Sequence, residues 1–447
     1  MRFTKFGKAL LVSALSVGAI LGVTSCVQSY TVGFLYVTGN KTAQTTDNGI
    51  ITGFKIDHNT GNLVAIHGLP VGSGGANPGR AVLITGGRFL YVLNRGHNST
   101  GSADCTANDP CQDSNITEFA VGGNGILTPQ AKFFTQGINP FRLIADGSGN
   151  YVYVLDRISP DSASCALSLG AGVTSCGDIT AFKVDQSTGR LSLVINAQVT
   201  AANGSPLPFF PVPVNPVDFV LTGSYMITLS GNASVTAGTQ TGDVVFPYTY
   251  NSATGQLSVN QNTVQPINSG AGTAIVTANG GTVYVLDNEA LTISGVVYQS
   301  QILPFSVGTG GALQAQTGGA VPDDPNQSNP IMLISESKGK WVYIANSGNN
   351  TASTNAQSGI VGKIIDPATK QLTVMPDSPF TSGSGPQCML EDPSNQFIYM
   401  ANFNDSSVTG KSLDVNSGDL RPLPGKANRA FPLDGPAAWC LVSGRTS

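Results

Sequence analysis

Residues able to do chemistry recur at one spacing in this sequence. The second residue after a proline that opens an apolar run is Arg80 in Pro78-Gly-Arg, Arg142 in Pro140-Phe-Arg and Asp218 in Pro216-Val-Asp. The same place holds Met332 after Pro330 and Cys388 after Pro386, and Thr273 stands there in a fifth unit that lacks the proline. If the runs are strands, alternation puts these side chains on one face. Two guanidiniums beside one carboxylate suit an anion, because arginine grips a carboxylate through two parallel hydrogen bonds. In a hydrolase, Arg80 and Arg142 would hold a carboxylate and stabilise an oxyanion, and His97 or Asp218 would activate water. Arg95, Arg157 and His97 follow aromatic-rich runs and could join the group. The same residues also read as a solvated network of structural ion pairs.

Other chemistries lack their residues. The chain has three histidines and no C-x-x-C pair, so no zinc site is expected. Gly72-Ser-Gly-Gly has no helix after it to hold a phosphate, and no serine elbow is present. Asn108-Asp109 lacks calcium-ligand spacing. Asp323-Asp324 sits in a Pro/Asn-rich stretch and is expected to face solvent. No metal or cofactor is implied. A net charge of −4 gives no basic face for nucleic acid.

The elements that position these residues form a repeat. An aromatic-rich run appears as Phe34-Leu-Tyr-Val37, Phe89-Leu-Tyr-Val92, Tyr151-Val-Tyr-Val154, Tyr225-Met-Ile-Thr228, Thr282-Val-Tyr-Val285, Trp341-Val-Tyr-Ile344 and Phe397-Ile-Tyr-Met400. A closing leucine follows each, at Leu63, Leu127, Leu191, Leu257, Leu313, Leu372 and Leu420. The clearest copy runs from Asn329 to Leu372. Each unit holds four strand-like runs: a proline run, the aromatic run, a third run such as Ile179-Thr-Ala-Phe-Lys-Val, and one starting at the leucine. A turn such as Asp57-His-Asn-Thr-Gly61 precedes the leucine, with Asp capping it and Gly supplying positive φ. Few charged residues (11%) and 54 glycines agree with all-β structure. Four-stranded units repeated radially make a β-propeller, here with seven antiparallel blades.

The ends of the chain predict closure. The first aromatic run has no proline run before it, while Pro436-Ala-Ala-Trp-Cys-Leu-Val442 is spare at the other end. This C-terminal strand would complete blade one and remove a free edge. Cys388 and Cys440 would then lie on neighbouring inner strands as a disulfide across the seam. Local spacing pairs Cys105 with Cys111 and Cys165 with Cys176. Of the seven cysteines, the six beyond Cys26, an even number, suit disulfides in an exported chain.

The loops are unequal. Those between the second and third runs are long: Gly96–Ser114, Ile158–Gly177, Gly231–Gly242 and Gly348–Gln357. They fall on the face where the proline strands begin, and Pro206–Pro216 is a further insertion reaching it. Long loops on one face usually mark a binding face. His58, in a tight turn, and His67, on an outer strand, are expected at the surface.

Residues 1–26 read as an export signal, with Arg2, Lys5 and Lys8 ahead of the apolar run Ala9–Val23. Its end, Val23-Thr-Ser-Cys26, resembles a bacterial lipobox, which implies lipidation of Cys26; an ordinary signal cleaved nearby is the alternative. Residues 27–447 would form one domain, a monomer anchored to the bacterial envelope membrane, periplasmic or surface side, through lipid rather than spanning it.

The module Gly385-Pro-Gln-Cys-Met-Leu-Glu-Asp-Pro-Ser-Asn-Gln-Phe-Ile-Tyr-Met-Ala-Asn402 closely resembles the lactonase family of seven-bladed propellers, and more loosely the YVTN-repeat surface proteins. The resemblance covers residues 31 to 443. It implies the fold and, since the family includes 6-phosphogluconolactonases and muconate-lactonising enzymes, hydrolysis of a small carboxylated lactone. The family's inner strands carry an Arg-His step in several blades; here Gln387-Cys388 and Ile331-Met332 stand instead. That departure, with the export signal, leaves open a non-catalytic envelope propeller that binds a ligand or protein through its long-loop face.

Overall fold

The computed structural model describes residues 30–41, 48–84, 86–201, 203–234, 241–259, 264–278, 281–348, 357–424 and 430–444. The export signal and Cys26 lie outside them. The described chain forms seven blades, each with four antiparallel strands in the order inner to outer. All seven aromatic runs are second strands, from Thr31–Asn40 in blade one to Phe397–Asn402 in blade seven, and all seven closing leucines open the fourth strands. Blades one, three, four, five and seven add a short strand beside the third, such as Phe210–Val212.

The second strands are largely buried; Phe89–Asn94, Trp341–Asn346 and Phe397–Asn402 expose no residue. Both their faces are covered because every blade packs between two others, so the run reads as continuous apolar sequence rather than alternating. The outer strands are covered on one face only: Leu191 and Leu420 are buried and the next two residues exposed.

The repeated tyrosine joins one blade to the next. Tyr36 donates its hydroxyl to the carbonyl of Gly125 at 2.8 Å, Tyr153 to Gly255 at 3.0 Å and Tyr343 to Gly418 at 2.6 Å. Each acceptor is the turn glycine ahead of the next blade's fourth strand. Gly61 shows why glycine is needed: its φ is +65°, and a Cβ there would lie 2.5 Å from the Phe397 ring. Blade five opens its second strand with Thr282 instead of an aromatic, and the facing turn carries Lys370 at φ +60°. Without a ring against the turn, a side chain fits. The Asp caps form as expected, with Asp57 Oδ1 accepting the N–H groups of Asn59 and Thr60.

Closure follows the expected route. Ala437–Gly444 pairs with Thr31–Asn40 as the inner strand of blade one. Disulfides link Cys105–Cys111, Cys165–Cys176 and Cys388–Cys440, the last across the seam. Three disulfides belong to an oxidising, exported location. No helix among the described residues is long and apolar enough to cross a membrane.

The structure corrects several details. Gly231–Gly242 is not one long loop: the strands Tyr225–Ser234 and Thr241–Tyr250 extend into it. The loop after the second strand of blade five, by contrast, carries a hairpin, Leu291–Ile293 with Val296–Tyr298, that the repeat did not signal. Asp323 is buried, not solvent-facing: the Ser300 hydroxyl donates to it at 2.9 Å. Beside it the buried ammonium of Lys363 donates to the carbonyls of Pro322 and Asp323. His67 is exposed in the turn after an outer strand, and His58 is half-buried against Tyr30, ring centroids 4.3 Å apart.

Candidate functional site at the channel mouth

The inner strands enter the ring through one local device. The residue before the proline is left-handed, at φ +50° in Asn77, +61° in Asn139, +53° in Asn215 and +56° in Asn329, with Gly385 taking the role in blade seven. Asparagine tolerates this conformation better than most residues. A register shift follows, as between Pro216 and Asp218 or Pro386 and Cys388, and such a bulge re-aims the next side chain. The same asparagines tie down the long loops. Asn139 Oδ1 accepts the N–H of Cys111 at 2.7 Å, and Asn77 Nδ2 donates to Gly96 O at 2.8 Å.

Pairing register fixes which residues are equivalent. Arg142 faces Leu155, Asp218 faces Leu229, Met332 faces Ala345 and Cys388 faces Ala401. In blade five Ala274, not Thr273, takes this place, opposite Leu286, because the shift there falls between Gly272 and Ala274. In blade one the place belongs to Trp439, opposite Thr38.

Arg80, Arg142 and Asp218 do come together. Arg80 donates to Asp218 Oδ2 at 2.8 Å across 138 positions of sequence, and Arg142 Nε lies 3.6 Å from Oδ1. Asp218 has no exposed surface and also accepts the N–H of Phe219 at 2.9 Å. It is a clamp between strands more than a group open to substrate. Arg142 lies deep in the ring yet keeps about a third of its side-chain surface open (32%), facing a cavity. Burial, then the charges of Arg80, Arg95 and Arg157, hold its pKa down to about 10 against the pull of Asp218. Burial also lowers Arg95 and Arg157, and Asp104 opposes both shifts. The Arg95, Arg142 and Arg157 guanidiniums keep their charge at neutral pH.

Aromatic rings set their orientation. The Arg142 and Arg157 guanidiniums lie 5.2 and 4.7 Å from the Phe141 ring centroid, and that of Arg80 lies 4.7 Å from Trp439. Such contacts attract, and more strongly away from water. Arg95 donates to Ala103 O at 2.9 Å, holding the Cys105–Cys111 loop over the group.

Two cavities open here and share Arg142 and Phe141. The larger, about 720 Å³, is lined by Arg142, Arg157 and Asp243 among polar and apolar residues, Cys105 and Cys176 included. The smaller, about 270 Å³, holds Arg80, Arg95 and Trp439. His97 lines neither. Its Nδ1 lies 2.9 Å from the Asn98 carbonyl and Nε2 3.9 Å from Asp113, which is largely exposed. Among the described residues no group of three or more His, Cys, Asp or Glu could hold a metal.

Sequence reasoning missed Phe141, Asp243 and Trp439. Phe141 stood in view between the Asn-Pro entry and Arg142. Trp439 could have been found by carrying the alignment through the seam. Asp243 left no signal: its Oδ2 is set by the Ser269 hydroxyl and the Gly272 N–H, both at 2.6 Å and both outside its own strand.

Residues 226–433 match the family described as "Lactonase, 7-bladed beta-propeller". Comparison with curated proteins by sequence finds no match. Among solved structures, a candidate 6-phosphogluconolactonase from Bacteroides fragilis is 15% identical, with a TM-score of 0.62 over 92% of this chain and 98% of that one. The Pseudomonas aeruginosa periplasmic gluconolactonase is 16% identical, with a TM-score of 0.61 over 92% and 99%. At such identities the likeness carries the fold. Residues 226–433 thus match the seven-bladed β-propeller lactonase family, and the ring of blades they help to build has the fold of these neighbours.

Proposed function

We propose that the channel mouth binds a small carboxylate-bearing ligand and hydrolyses a carboxylated lactone. The observation that carries this is the arginine group: Arg142 and Arg157 face the larger cavity, with Arg80 clamped behind them by Asp218. A ligand carboxylate would take charge-assisted hydrogen bonds from this wall. Asp243, the carboxylate of that cavity, would take a proton from water as its oxygen attacks the lactone carbonyl. The developing oxyanion faces the guanidiniums. On collapse the ring C–O bond breaks and the alkoxide takes the proton back, giving a hydroxy acid. Asp218 serves as the clamp and His97 as part of the loop above.

A second reading, a ligand-binding envelope propeller without catalysis, has its own observation. The two groups expected to activate water are the buried Asp218 and His97, which lines neither cavity, and Asp243, though it lines the larger one, is only 1% exposed. Assay of the purified protein on carboxylated lactones decides between them. Turnover that falls at least about tenfold in both Arg142→Ala and Asp243→Asn supports hydrolysis. Calorimetric binding of a carboxylate without turnover supports the second reading, and neither binding nor turnover overturns both.

The protein is further proposed to be a monomer, held in the bacterial envelope by lipid on Cys26. Metabolic labelling with a fatty acid tests the anchor: label lost in Cys26→Ser supports it, and an unlabelled wild type removes it.

A further inference from the structure

We propose that Trp439, delivered by the strand that closes the ring, is a positioning residue for the arginine group, so that ligand binding and ring closure are thermodynamically linked. The proposal rests on the anion-binding reading above. The Arg80 guanidinium has the Trp439 indole 4.7 Å away and the Asp218 carboxylate at 2.8 Å, while its Nε has no hydrogen-bond partner. One hydrogen bond leaves a long, flexible side chain free to swivel, and the indole restricts it. Arg80 in turn neutralises the buried Asp218, whose other oxygen faces Arg142. A chain of contacts thus runs Trp439–Arg80–Asp218–Arg142, from the closing strand to the wall of the larger cavity.

The closing strand is held at this point twice. Trp439 pairs with Thr38, whose hydroxyl donates to the carbonyl of Gly79, next to Arg80, at 2.9 Å. Its neighbour Cys440 carries the seam disulfide to Cys388. Backbone and side chain of Arg80 therefore both depend on the seam. A ligand that binds the closed ring more tightly than the open one stabilises closure by the same factor, and closure tightens the ligand equally.

The chain has two tryptophans, and Trp341 starts a second strand away from the arginine group. Trp341→Phe therefore leaves Trp439 as the sole tryptophan, excited selectively beyond the tyrosine absorption. In that background, titration with succinate or inorganic phosphate gives a saturable change in emission, abolished by Arg142→Ala. In calorimetry on the otherwise native protein, Trp439→Leu weakens binding about tenfold and Trp439→Phe restores most of it, as expected for loss and return of a ring under a guanidinium. The Cys388→Ser/Cys440→Ser double variant also weakens binding. Equal affinity in Trp439→Leu and wild type, with only the unfolding midpoint shifted, reduces Trp439 to packing and overturns the proposal. If the wild type binds neither probe, the anion-binding reading fails on its own. The Trp439 proposal is then decided without ligand, by a double-mutant cycle between Arg80→Leu and Trp439→Leu in urea: non-additive effects support the coupling, additive ones overturn it.

Discussion

The hydroxyl of Tyr399 in blade seven donates to the carbonyl of Gly61 in blade one at 2.6 Å, across 338 positions of sequence. It is the same clasp that joins neighbouring blades elsewhere, here spanning the junction of the last blade with the first. Tyr399→Phe keeps the ring and removes the bond. It should lower stability by about 1 kcal/mol, the net worth of a buried hydrogen bond. Urea unfolding checks this, and a wild-type midpoint would show that the clasp contributes nothing. Gly61→Ala should cost more, since it adds left-handed strain to a collision with Phe397.

Blade six carries the exception to the clasp's glycine. Lys370 occupies the turn at φ +60°, facing a strand that begins with Thr282. Lys370→Gly should raise stability by up to about 1 kcal/mol, because a left-handed non-glycine residue is strained by about that much. A lowered urea midpoint would show that the lysine side chain contributes more than its backbone costs.

The disulfides should differ in worth. Cys388–Cys440 spans 52 residues and Cys105–Cys111 only 6. Loop entropy in the unfolded chain gives about 4 kcal/mol for the first and about 2 kcal/mol for the second. Paired Cys→Ser variants in chemical denaturation test the ratio; equal losses would refute it.

Stability should fall as pH rises through neutrality. Asp156 and Asp178 face each other on adjacent strands of blade three with no exposed surface. Burial pushes Asp156 up to about 7, against hydrogen bonds from Thr135 and Thr180. Burial and then the charge of Asp156 push Asp178 well above the carboxylate range. Tyr248, pushed up by burial and by Asp178, is the neighbouring phenol. For an acid raised in the folded state the native protein holds more protons than the unfolded one. The contribution is therefore complete below about pH 4 and is lost as pH rises through about 7. Asp178→Asn should stabilise the protein by more than about 1 kcal/mol at pH 8 and change little at pH 4. Urea midpoints across pH check the sign, and equal gains at both values would refute the raised carboxyls as the cause.

Much of the ring could be read in advance because it is written seven times. A single aromatic run is an ambiguous strand, but seven copies with seven leucines leave one architecture. The disulfides followed from spacing and from the spare closing strand. The site was legible in part: Arg80, Arg142 and Asp218 converge because each follows the same proline bulge. Thr273 was misplaced because blade five lacks the proline from which the others are counted, and only pairing register shows Ala274 in its place. Asp323 reads as loop surface because polar residues in a Pro/Asn stretch carry no mark of the Ser300 hydroxyl and Lys363 ammonium packed beside them. Asp243 belongs to a cavity whose other walls come from different blades, which local sequence does not encode.

Blade one takes three strands from the start of the described chain and its inner strand, Ala437–Gly444, from the end. The first blade begun in synthesis is therefore the last completed. A chain terminated anywhere before Ala437 would lack not one strand of many but all of the seam. Thr31–Asn40 would be left as an open edge, and Arg80 would lose its indole. Truncated translation products of this protein are thus marked by their own exposed strand, and Arg80 meets its indole only in chains that extend past Trp439.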